Sequence, residues 1–182
     1  MLSTISLIGL AALASHLFKC RMETSIFLAA AAVIVVLFLG GSLNMLPVTA
    51  WGLWLTGFVG GAFAVYRYKL RSFVSPGALA FLVASALLYF KVQSGAFARW
   101  DEFSHWGTVI KHYASVGSLY QSSTLYFPDY PPGLALFSYF IFFPFGFSES
   151  MSLYASGLLV LSVLAAVSAG AGIAGTILIF SI

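Results

Sequence analysis

The stretch Thr24–Gly40, TSIFLAAAAVIVVLFLG, decides the fold. It carries no charge and is dominated by Ala, Val, Ile and Leu, so it has no polar face to turn toward water. As a helix it satisfies its own backbone hydrogen bonds, which is the condition for lying in hydrocarbon. At about 1.5 Å per residue it is short but adequate for a tilted or bundled span. The whole chain agrees: of 182 residues, 61% are hydrophobic and only 7% charged, against roughly 25% charged in an average soluble domain. A water-facing surface cannot be covered with so few polar groups.

Outward from this run the pattern repeats. Toward the N-terminus, Lys19, Arg21 and Glu23 form a short charged turn, and Leu2–Phe18 is apolar with no charge before Lys19. The basic start of a secretory signal is therefore missing, and the segment reads as a retained first span. Further spans are expected over 48–66, 76–92, 132–147 and 151–169. The stretch 171–182 is too short to cross a bilayer and is read as the start of a seventh span in a longer protein. The expected fold is an all-α, polytopic membrane helical bundle, with one polar loop over 93–131. Gly57 and Gly61 form a GxxxG that lets a neighbouring helix approach closely. Gly170–Gly175 follows no strand, so it reads as helix packing rather than a phosphate loop.

Charge sets the topology. A net charge of +3, dispersed along the chain, makes no nucleic-acid footprint. Basic turns stay cytoplasmic. Placing Lys19/Arg21 and Arg67/Lys69/Arg71 inside puts the uncharged turn 41–47 outside, and with it the 93–131 loop. The same count makes the 145–150 turn, which carries Glu149, cytoplasmic. The expected location is the bacterial cytoplasmic membrane. Cys20 is the one cysteine, so no intrachain disulfide exists.

Chemistry concentrates in Arg99–Gly133, which holds the acids Asp101, Glu102 and Asp129 and the histidines His105 and His112. After Asp101 the spacing is helical: Phe103, Trp106, Val109, Ile110, Tyr113 and Val116 share one arc, while His105, Thr108 and His112 share the other. The loop is therefore expected to carry an amphipathic juxtamembrane helix at the membrane surface. Asp101 reads structurally as an N-cap and Glu102 as a first-turn acid. Functionally, an adjacent acidic pair between Trp100 and Trp106 suits a general base or a divalent cation, Mg or Mn, held by Asp101 and Glu102. His105 and His112, seven apart and without a third ligand, do not make a zinc site. Arg99 and Lys111 read as snorkelling anchors or as phosphate ligands. Pro131-Pro132-Gly133 is a fixed corner that returns the chain to the membrane.

The pair Asp101-Glu102, the helix Phe103–Val116 and the corner Tyr130-Pro131-Pro132-Gly133 together resemble the GT-C superfamily of membrane glycosyltransferases. The likeness is to the branch that contains protein O-mannosyltransferases and the aminoarabinose transferases of lipid A. Four spans precede the acidic pair where the better-known members have one. The resemblance implies a polyprenyl-phosphate-linked sugar as donor, an extracytoplasmic acceptor and membrane lipid as surroundings. It implies Asp101 as the acceptor-activating base, Glu102 as a supporting carboxylate, and a cavity shaped by the Tyr130 corner. Arg99, Lys111, His105, His112 and Asp129 complete the candidate substrate-binding set. Two other readings stand beside it: a transporter or lipid-translocation subunit with the same residues lining a vestibule, and a non-catalytic structural subunit that docks through the loop.

Overall fold

The computed structural model describes residues 1–69, 73–119 and 131–181, and among these no strand occurs. The helices are α1 (Leu2–Phe18), α2 (Met22–Ser42), α3 (Leu46–Tyr68), α4 (Pro76–Val92), α5 (Trp100–Ser104), α6 (Trp106–Val116), α7 (Gly133–Phe142), α8 (Glu149–Val167) and α9 (Gly172–Phe180). Three stretches, Met22–Ser42, Leu46–Arg67 and Glu149–Val167, are long and apolar enough to cross a membrane. Their outward faces fit that role. On α3, Trp51, Leu55, Val59 and Phe63 recur every fourth residue and all are exposed. Such a continuous apolar stripe is not left bare in water.

The chain divides into two compact units, each built from separate segments. The first comprises Met1–Ala31, Trp54–Phe90 and Gly157–Ile182. Its tightest packing joins α1 to α3: a Cβ placed on Gly9 would stand 1.8 Å from the Gly57 carbonyl oxygen, and one on Gly61 would stand 2.9 Å from the Gly9 Cα. Small residues here let two backbones touch, which is how helices associate in a medium as apolar as their own side chains. The Ser6 hydroxyl donates to the Trp54 carbonyl at 3.0 Å across the same seam. Gly157 of α8 makes room for the Leu88 side chain of α4.

The second unit comprises Ala32–Leu53 and Lys91–Ser156. Its core is α7, in which every residue from Ala135 to Phe142 is buried. Gly133 lies against Ile34 of α2, and Phe143 meets Trp51 of α3 edge-on with ring centroids 5.4 Å apart.

The stretch expected to span over 132–147 holds α7 and the turn that ends it. α7 has 10 residues, which is about 15 Å, half of a bilayer core of about 30 Å. It ends in a 3-10 turn, Phe143–Phe145. The cause is local: Pro144 has no N–H to continue the α-helical ladder, and Gly146 turns the chain at φ 86. The 145–150 turn lies against Phe97 and Lys111. Glu149 makes an ion pair with Lys111 at 2.9 Å and accepts the Phe97 N–H at 2.9 Å. An apolar run buried inside a protein looks the same in sequence as one facing lipid.

This arrangement has a direct check. In a Cys20→Ser background, Lys111→Cys and Glu149→Cys are each expected to react with a membrane-impermeant thiol reagent added from the same side of sealed vesicles. Labelling from opposite sides would restore a full span between them.

Candidate functional site

The polar segment after α4 is built from two short helices rather than one. α5 and α6 meet at His105, whose φ −117 and ψ −104 lie outside the helical region. Gly107 makes the elbow feasible: a Cβ there would stand 1.8 Å from the Glu102 carbonyl oxygen. Beyond the elbow, α6 buries Val109, Ile110 and Tyr113. Phe103, expected on the same arc, is exposed because the break shifts the phase between the two helices; Val116, the last residue of α6, is exposed as well.

The adjacent carboxylates are used differently. Glu102 is 8% exposed, and its Oε2 accepts the N–H of Arg99 at 2.7 Å and that of Ala98. Arg99 is the N-cap of α5 and Glu102 its third helical residue, so the carboxylate satisfies amides that a helix start leaves open. Asp101 is therefore not the cap, and the carboxylate expected to support chemistry is occupied by backbone. The Asp101 side chain is instead 72% exposed, with Oδ1 3.8 Å from His105 Nδ1.

Ser104 holds the ring of that histidine. Its hydroxyl donates to the Trp100 carbonyl at 2.8 Å and also lies 2.6 Å from His105 Nδ1. The Ser104 hydroxyl thus links the Trp100 carbonyl to the His105 ring. The Thr108 hydroxyl donates to the His105 carbonyl at 2.6 Å and steadies the elbow. Asp101 and His105 are brought together; His112 lies a helical stretch away, its ring 6.3 Å from that of Tyr113.

Lys111, read as a snorkelling anchor or a phosphate ligand, pairs with Glu149, with its ammonium over the Phe97 ring at 5.3 Å and the Phe147 ring at 6.0 Å. Phe97 stacks edge-on against Trp106 at 5.1 Å. This knot ties α6 to the start of α8. Sequence reasoning missed Glu149, Phe97 and Phe147 because a lone acid at a helix start and two phenylalanines among many carry no mark of pairing. Arg99 is exposed. Asp129 and Tyr130 lie outside the described residues.

Among the described residues, no three His, Cys, Asp or Glu side chains gather as a metal site. Glu102 Oε2 is engaged by amides, which leaves Asp101 as the open carboxylate of the pair. No known family model matches this chain, and neither does any curated protein or solved structure.

The cap makes its own prediction. Glu102→Ala is expected to cost about 1 kcal/mol of local stability and to speed amide exchange at Ala98 and Arg99. Unchanged exchange there would remove the capping role.

Proposed function

We propose that the chain forms part of a membrane glycosyltransferase that moves a sugar from a polyprenyl-phosphate-linked donor to an extracytoplasmic acceptor. The observation that carries this reading is the division of labour between neighbouring carboxylates: Glu102 is held by backbone amides, while Asp101 is open beside His105. An exposed carboxylate can accept the proton of an acceptor hydroxyl as its oxygen attacks the anomeric carbon. The anomeric C–O bond then breaks and the electron pair leaves with the polyprenyl phosphate. His105 stands beside this carboxylate at the elbow, 3.8 Å away. Trp100, 73% exposed, offers a flat face on which a sugar ring can stack.

The test is turnover. Membranes carrying the protein are incubated with polyprenyl-phosphate-linked sugars, and protein-dependent release of polyprenyl phosphate is measured. No release with any donor would overturn the reading. The half-length α7 gives some support to a translocation subunit instead, because broken helices line transport sites in membranes. Movement of a lipid-linked sugar between leaflets without cleavage would favour that alternative.

A further inference from the structure

The first unit contains a polar cavity of about 390 Å³ where the starts of α2, α4 and α9 and the end of α8 converge. Arg21, Glu23, Ser75, Ser168 and Thr176 line it. Glu23 is only 4% exposed, yet it makes no hydrogen bond or ion pair with any described residue, Arg21 included. Gly77 leaves room for this carboxylate: a Cβ there would stand 2.5 Å from Glu23 Cγ and 2.2 Å from Ser168 Oγ. Burying a carboxylate without a partner is costly. The site is therefore built for something that brings one.

The surrounding groups say what kind. The Ser168 hydroxyl already donates to the Ala165 carbonyl at 2.7 Å, and that of Thr176 to the Gly172 carbonyl at 2.7 Å. Both oxygens are left as acceptors beside the Glu23 carboxylate, a wall that calls for a cation rich in N–H groups. Arg21 stands on the rim, its guanidinium near Gly170, and the N-terminal ends of α4 and α9 add positive dipole. Those features call for an anion. A single ligand that meets both demands is zwitterionic.

An apolar groove of about 660 Å³ runs on from the cavity between α4 and α9 and shares Ser75, Pro76 and Thr176 with it. Its walls include Leu79, Val83, Leu87, Ile173 and Ile177, all more than a third exposed. We propose that cavity and groove together bind one phospholipid with a phosphoethanolamine head, its ammonium on Glu23, its phosphate at Arg21 and a hydrocarbon tail along α4 and α9.

Native mass spectrometry of the intact chain in detergent, titrated with phosphatidylethanolamine, phosphatidylcholine and phosphatidylglycerol of identical tails, tests this. The ethanolamine lipid is expected to bind about tenfold more tightly than the other two, since choline has no N–H and glycerol no charge to offer Glu23. Glu23→Gln should erase that preference and leave choline-lipid binding unchanged. Arg21→Gln, at an exposed position, should weaken all three alike. Equal binding of the three lipids, or a preference that survives Glu23→Gln, overturns the proposal. So does displacement of the lipid by tail-less glycerophosphoethanolamine at equal concentration, which would leave the groove without a role.

Discussion

Replacing Asp101 by Asn is expected to lower sugar transfer at least about a hundredfold, in line with the loss of a positioned general base, without changing membrane insertion or helix content. The reason is geometric. Asn keeps the size and polarity of the side chain but cannot take a proton, and the position is 72% exposed with a single long approach to His105 at 3.8 Å. Nothing in the packing depends on the charge. Glu102→Gln makes the contrasting case, because that side chain serves the Arg99 and Ala98 amides and its amide oxygen can still accept them. Turnover in Glu102→Gln should stay within a few-fold of the parent. Undiminished transfer by Asp101→Asn would remove the catalytic assignment; equal losses at both positions would show that the elbow, rather than one carboxylate, is what matters.

The second large effect is expected from Gly9→Ala. Its new Cβ would stand 1.8 Å from the Gly57 carbonyl oxygen and 2.8 Å from the carbonyl carbon, so relief requires the backbones of α1 and α3 to separate. Overpacking of this kind costs about 1–3 kcal/mol or more, and separation would also break the hydrogen bond from Ser6 to Trp54. Thermal unfolding in detergent should show a clear drop in midpoint, with faster proteolysis of α1. Gly52→Ala is the matched control: that position also lies in α3, and an added Cβ meets nothing within 4 Å. If Gly9→Ala unfolds with Gly52→Ala and the parent, the close seam between α1 and α3 is wrong.

Both predictions rest partly on features that the sequence displays and partly on ones it hides. Gly57 and Gly61 announce a close helix approach, but nothing in the spacing names Gly9 as the partner. The row Asp101, His105, Thr108, His112 follows from a helical period, yet the period cannot see a break at His105, which depends on Gly107 meeting the Glu102 carbonyl. Which of two adjacent acids caps and which stays open is likewise undetermined by composition. It depends on where α5 begins, and the helix starts one residue after Arg99. Lys111 and Glu149 lie 38 positions apart, and their pairing follows only from the half-length of α7.

What the sequence determined by itself is the class of fold and the place to look: long charge-free runs such as Thr24–Gly40 must be helices, because only a helix satisfies its own backbone away from water. The scarcity of acids likewise points to Arg99–Gly133 before any coordinates are known. What only the tertiary structure decided is where the apolar run of α7 breaks and which distant residues its end meets. It also decided which polar side chain is spent on the backbone and which is left open. Those outcomes depend on contacts between segments distant in the chain, where a buried surface and a lipid-facing surface select the same residues.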